Sequence, residues 1–174
     1  GQMFGPEVQI NLHLLEITPA MSALKGTAME IEDGAYPLLK NMRLFDDINE
    51  AAKGVDWAIL VGAMPRKAGM ERADLLEKNA NIFSVQGKAL AQNANKDVKI
   101  FVVGNPCNTN ALIAMHHAGG AIPVENIFAM TMLDEMRART QIADKAGVHV
   151  TDIKHCAVWG NHSATQYPDI YNTL

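Results

Sequence analysis

The sequence predicts an α/β fold built on a parallel sheet. Apolar runs of strand length alternate with amphipathic stretches of helical length, and three of those runs end in polar loops, at Glu16, Gly62 and Gly104. Parallel strands need crossover connections, and ligands gather beyond their carboxyl ends. The chain has 174 residues, 48% hydrophobic, 20% charged and 6% aromatic. Such a chain suits one ordinary globular domain, with roughly 70% of its unfolded surface buried. Disorder and collagen-like repetition are excluded.

Val8 to Glu16 is the first strand candidate, because Val8, Ile10, Leu12 and Leu14 alternate with Gln9, Asn11 and His13. A helix is expected from about Pro19, suited to a first turn, to Tyr36, where Pro37 closes it. Met42 to Phe45 reads as a short strand and Ile48 to Lys53 as a short helix stopped by Gly54. Trp57 to Val61 reads as a buried strand that runs into a loop, Gly62 to Gly69, where two Gly and a Pro disfavour regular structure.

Leu76, Ala80, Phe83, Gly87 and Leu90 recur at spacings of four and three, which predicts a long helix from about Arg72 to Asn93. Ile100 to Val103 is a buried strand broken by Gly104-Asn105-Pro106. Asn108 to His117 reads as helix ended by Gly119-Gly120, and Ile127 to Met130 as a short strand. Asp134 to Ala146 is helical with Gly147 as its stop, and Ile153 to Trp159 is strand again.

The net charge of -4 argues against nucleic acid or an anionic membrane as the main partner. The longest apolar stretch, Trp57 to Met64, falls well short of the roughly 20 residues that span a bilayer. No signal pattern opens the chain, so a cytoplasmic location is expected. Cys107 and Cys156 form no Cys-x-x-Cys, which favours buried thiols over a disulfide framework or zinc knuckle. The histidines lack ligand spacing, and no metal site is assigned.

Several groups could do chemistry, and each has an ordinary alternative. Glu16 could accept hydrogen bonds from ribose hydroxyls, or be a solvated carboxylate at a strand end. A phosphate-cradling glycine turn should then lie roughly 20 residues before it, and none is present in the stretch ahead of Glu16. Arg66, Lys67 and Arg72 could meet an anionic substrate, or be surface charge. Asn105 could orient a substrate, or serve its tight turn. Asp134 and Arg137, three apart on a helix, form at minimum an ion pair of roughly 0.2 to 0.5 kcal/mol. Their apolar neighbours Met130, Leu133 and Met136 make that pair costly unless something uses it. His162, just past a strand, is the best acid/base candidate, since histidine as a residue type titrates near neutrality. A carboxylate such as Asp134, if it reached the ring, would fix its tautomer and stabilise the imidazolium.

Five strings in order, Leu14-Leu15-Glu16-Ile17, Gly62 to Lys67 with Gly69 to Arg72, Gly104-Asn105-Pro106, Thr131 to Ala138, and Trp159 to Ser163, closely resemble the cytoplasmic-type branch of NAD-dependent malate dehydrogenases in the lactate/malate dehydrogenase superfamily. The resemblance implies a Rossmann-like sheet lacking its first strand in residues 1–130 and the start of an α+β catalytic domain in residues 131–174. It implies NAD as cofactor, malate and oxaloacetate as substrates, and a homodimer for the full-length protein. On this basis His162 takes the hydroxyl proton and Asp134 orients its ring. Arg137 clamps the carboxylate beside the reacting carbon, Arg66 pairs with the distal carboxylate, and Arg72 polarises the carbonyl. Asn105 positions substrate and cofactor, while Glu16, Gly62 and Gln86 line the cofactor. Met132 and Met136 depart from the family's usual Arg and Asn. Two alternatives stay open: a lactate-type 2-hydroxy acid dehydrogenase, and a non-catalytic Rossmann-like binding domain. The chain as given, without its glycine cradle, is expected to have little or no activity.

Overall fold

The computed structural model describes residues 3–64 and 72–173, without the side chains of residues 72–75. Strand β1 (Ile10–Leu15) pairs in parallel with β2 (Leu39–Phe45), with Leu12 opposite Met42 and Leu15 opposite Phe45. The crossover between them is a 3-10 turn, Thr18–Ala20, followed by helix α1, Met21–Asp33. The helix ends short of the expected Tyr36. Pro37 forces the residue before it out of the helical region, and Ala35 already takes a left-handed φ of 45°.

A second parallel ladder runs in the order β3 (Trp57–Leu60), β4 (Lys99–Val102), β5 (Ile127–Ala129). Leu60 lies opposite Val102, and Val102 opposite Ala129, so these three strands finish at one edge. The core sits on β4, where Val98, Ile100 and Val102 are fully buried with Phe83. The expectation of a buried β3 needs correction. Leu60 is buried, but Trp57 and Ile59 are 39% and 48% exposed. Among the described residues β3 pairs on one side only, and its alternate side chains are covered only in part, Trp57 by the edge-on Phe4 ring.

Helix α2 (Ile48–Ala51) is capped by Asp47, whose carboxylate accepts the Asn49 N–H at 2.7 Å. It packs on β1, β2 and helix α3, and so links the two ladders; the Ala51 carbonyl meets His13 Nδ1 at 2.8 Å. Helix α3 (Arg72–Asn93) runs over the range its apolar spacing predicts. It crosses helix α4 (Cys107–His117) at Gly87, where a Cβ would stand 2.4 Å from the Ala114 carbonyl oxygen. Only glycine lets the two backbones meet so closely.

Helix α5 (Met132–Ala146) stops at Gly147, left-handed at φ 67°. Beyond it, the expected strand Ile153–Trp159 shrinks. Val150–Asp152 is a 3-10 turn, His155 adopts a φ of 56°, and only β6 (Ala157–Trp159) is extended. β6 pairs antiparallel with β7 (Tyr167–Asp169), which the sequence pattern misses because Pro168 argues against a strand.

Candidate active site

The carboxyl ends of β3 and β4 form one cluster. Val103 and Gly104 both donate their N–H to the Leu60 carbonyl, at 2.9 and 3.1 Å. A Cβ on Gly104 would lie 3.0 Å from the Ala63 Cβ and 3.1 Å from the Val61 carbonyl oxygen, so the two strand exits are in contact. Asn105, next along the chain, is exposed there in a cis peptide with Pro106. Gly62 is also exposed, and nothing among the described residues lies within 4 Å of where its Cβ would be.

Two buried amides hold these exits, and neither is evident from the sequence pattern. Asn79 on α3 accepts the Met64 N–H at 2.7 Å and faces the Met64 carbonyl at 3.4 Å. Asn110 on α4 donates to the Gly104 carbonyl at 2.9 Å. The signal that could have found them is a polar residue set among the apolar positions of a core-facing helix, as Asn79 is between Leu76 and Phe83.

At β5, Met130 donates its N–H to the Val102 carbonyl at 2.8 Å, and its own carbonyl accepts Cys107 Sγ at 3.2 Å. The start of α5 is thereby tied to the end of β4. Asp134 lies in the first turn of α5, where the helix's unpaired N–H groups favour a carboxylate. Its Oδ2 is 2.6 Å from His162 Nδ1, and its Oδ1 is 3.6 Å from the Arg137 guanidinium. A carboxylate can only accept, so Nδ1 carries the hydrogen and Nε2 of the neutral ring keeps a lone pair. Asp134's side chain is 17% exposed, against 66% for His162 and 62% for Arg137. The expected apolar enclosure of this pair is not seen: Leu133 and Met136 are exposed, as is the Arg137 side chain. At 3.6 Å Arg137 makes an ion pair and not a hydrogen bond, leaving its planar fork for other acceptors.

The loop that offers His162 is braced by short-range bonds. Gly160 turns at φ 93°, Ser163 N–H bonds the Asn161 carbonyl at 2.7 Å, and the Ser163 and Thr165 hydroxyls meet at 2.7 Å. Asp169, on β7, fixes its base. It accepts the Asn172 amide at 2.7 Å, the Tyr171 N–H at 3.1 Å and the Trp159 indole at 3.4 Å. The Asn172 amide foremost holds the Asp169 carboxyl below its usual value, with desolvation opposing and the Trp159 and Tyr171 donors assisting.

Glu16 follows β1, exposed, and its Oε1 accepts the Ile17 N–H at 2.8 Å. Gln86 is half-buried on α3, and its Oε1 is a buried acceptor without a partner among the described residues. Arg72 opens α3, and its side chain is not described. Arg66 lies outside the described residues. The geometry thus joins His162, Asp134 and Arg137 in one group and sets Gly62 and Asn105 at neighbouring strand ends. No hydrogen bond among the described residues joins the two groups directly.

A family model described as the lactate/malate dehydrogenase NAD binding domain matches residues 2–129, and one described as the lactate/malate dehydrogenase alpha/beta C-terminal domain matches residues 131–173. The sequence is 60% identical over 169 residues to a probable malate dehydrogenase 3 of Dictyostelium discoideum, covering 97% of this chain and 50% of that one. The fold is similar to a malate dehydrogenase from Naegleria fowleri, with a TM-score of 0.94, 52% identity, and 99% of this chain and 53% of that one covered. It is also similar to a Trichomonas vaginalis lactate dehydrogenase in complex with NADH and oxamate, with a TM-score of 0.90, 42% identity, and 99% and 52% covered. The chain spans about half the length of these relatives.

Proposed function

Because the chain belongs to the lactate/malate dehydrogenase family, we propose that it carries the proton-transfer centre and much of the nucleotide side of an NAD-dependent malate dehydrogenase. The observation that carries this reading is the 2.6 Å bond from His162 Nδ1 to Asp134 Oδ2. It leaves Nε2 of His162 to take the proton of a substrate hydroxyl, or to return it to a carbonyl oxygen. Asp134 holds the ring in that tautomer and balances the imidazolium charge when the proton arrives.

The residues fit an NAD molecule at two points. Glu16 presents a carboxylate beyond β1, suited to ribose hydroxyls and repulsive to a 2'-phosphate. Gly62 offers open backbone beyond β3, and Gln86 Oε1, which has no partner among the described residues, is an acceptor for a donor group. When bound, NAD supplies the hydride acceptor and donor for carbon 2 of the substrate.

Substrate choice follows from charge. Arg137 grips the carboxylate beside the reacting carbon, and Arg66 the distal one, each as a planar fork. Arg72 polarises the carbonyl oxygen and Asn105 orders substrate against cofactor. A methyl group in place of the distal carboxylate would leave a desolvated guanidinium unpaired, at a cost of at least about 1–3 kcal/mol. Malate and oxaloacetate are therefore the substrates, in a homodimeric, cytoplasmic enzyme; the sequence resemblance supports these last two points.

The similarity to a lactate dehydrogenase favours one other reading, a 2-hydroxy acid dehydrogenase that takes monocarboxylates. NADH oxidation by the full-length gene product, with oxaloacetate and with pyruvate, separates them. Faster turnover of oxaloacetate supports the malate reading, and faster turnover of pyruvate rejects it.

A further inference from the structure

Asn79 and Asn110 are the two buried polar side chains among the described residues, each 0% exposed. Burying an amide costs desolvation wherever a hydrogen bond goes unmade; Asn79 bonds at both polar atoms, whereas Asn110 Oδ1 has no partner among the described residues. Both bond to backbone, and both do so where a strand of the central ladder hands over to a loop: Asn79 at Met64 beyond β3, Asn110 at Gly104 beyond β4. Asn79 grips its target at both polar atoms, with the Met64 N–H at 2.7 Å from its Oδ1 and the Met64 carbonyl at 3.4 Å from its Nδ2. It sits one helical turn from Phe83, which is fully buried and would touch a Cβ on Gly104. Asn79 is thereby anchored in the same packing that fixes the Gly104 turn.

We propose that Asn79 is a positioning residue that sets where the chain leaves β3, and through it the start of the segment that carries Arg66 two positions after Met64. This rests on the reading of Arg66 as the partner of the distal carboxylate. An apolar residue in this core position would bury as well and bind nothing, so retaining an amide here spends stability on direction. Asn79 is 0% exposed, so its effect reaches the reaction through the backbone it bonds. Its loss should raise KM for the dicarboxylate and leave kcat nearly unchanged.

The test is a double-mutant cycle on the full-length gene product with oxaloacetate and NADH. Asn79→Ala is expected to raise the oxaloacetate KM about five- to tenfold, the factor that one or two neutral hydrogen bonds support, with kcat altered less than about threefold. In an Arg66→Ala background the same change should move KM by less than about twofold, because coupled residues are not additive. Asn79→Asp, which retains the acceptor for the Met64 N–H, should recover part of the KM and stands in if the alanine variant fails to fold. Val98→Ala, which trims the same core without touching the clamp, should lower the melting temperature and leave KM in place. An Asn79 effect of equal factor in both backgrounds, or no KM effect where Arg66→Ala has one, overturns the inference. If Arg66→Ala itself leaves KM unchanged, the functional reading fails instead.

Discussion

His162 Nδ1 and Asp134 Oδ2 stand 2.6 Å apart, a bond that joins the β6–β7 hairpin to the first turn of α5 across 28 residues of sequence. The partners differ in surroundings: the carboxylate is mostly covered, and the ring is mostly open. That asymmetry suits a group that must meet a ligand and another that must only hold it.

Asp134→Asn keeps the shape of this pair and removes its charge. The amide can present its NH2 to Nδ1 and favour the wrong tautomer, so kcat for malate oxidation is expected to fall roughly 100- to 10,000-fold. His162→Asn should fall by a similar factor, and the double variant should be little worse than the poorer single one, because residues acting as a unit are not additive. Steady-state kinetics of the three full-length variants checks this. Independent, multiplying losses would separate the two roles.

Arg66→Gln removes the proposed partner of the distal carboxylate. The ratio of kcat/KM for oxaloacetate over pyruvate should drop roughly 5- to 150-fold, equivalent to about 1–3 kcal/mol. Competition between the two acids for NADH oxidation measures that ratio directly, and an unchanged value would remove Arg66 from substrate selection.

Two glycines in helices should respond to alanine with opposite signs. Gly26 in α1 has nothing within 4 Å of its missing Cβ. Gly26→Ala is therefore expected to stabilise by about 0.5–1 kcal/mol. A Cβ on Gly87 would stand 2.4 Å from the Ala114 carbonyl oxygen, and Gly87→Ala should destabilise by about 1–3 kcal/mol as the helices are forced apart. Urea midpoints at constant slope give both values. A stabilising Gly87→Ala would contradict the close crossing of α3 and α4.

The hairpin that carries His162 should loosen in acid. Asp169 has a folded-state carboxyl held below its ordinary value of 3.8, first by the Asn172 amide. A depressed acid contributes its stability above the unfolded value and loses it as pH falls through the folded one. Trp159 emission, followed in a Trp57→Phe background, should therefore shift below pH 3.8. Asp169→Asn should abolish that step, and its persistence there would assign the transition to another group.

Periodicity made much of this molecule legible in advance. The apolar stripe through Phe83 and Leu90 gives α3 its range, and the glycines at 54, 119, 120 and 147, which the pattern marks as stops, turn with positive φ. His162 and Asp134 could be named from strings of sequence, while their contact needed the fold to bring residues together across the hairpin. What stayed hidden has a common physical origin. β7 contains a proline and is three residues long, too short for any alternation to reveal. Asn79 and Asn110 look like ordinary helix residues until burial shows what they grip. The exposure of Trp57 and Ile59 depends on which layers cover β3, a property of the neighbours and not of the strand.

The most direct measurement of the central claim is the pH dependence of kcat/KM in both directions on the full-length gene product. On the proposed reading, malate oxidation needs His162 neutral to take a proton, and oxaloacetate reduction needs it charged to give one. The account predicts that malate kcat/KM falls toward acid, that oxaloacetate kcat/KM falls toward alkali, and that both limbs vanish in His162→Asn. Limbs that run the same way in both directions, or that survive the loss of His162, would contradict it.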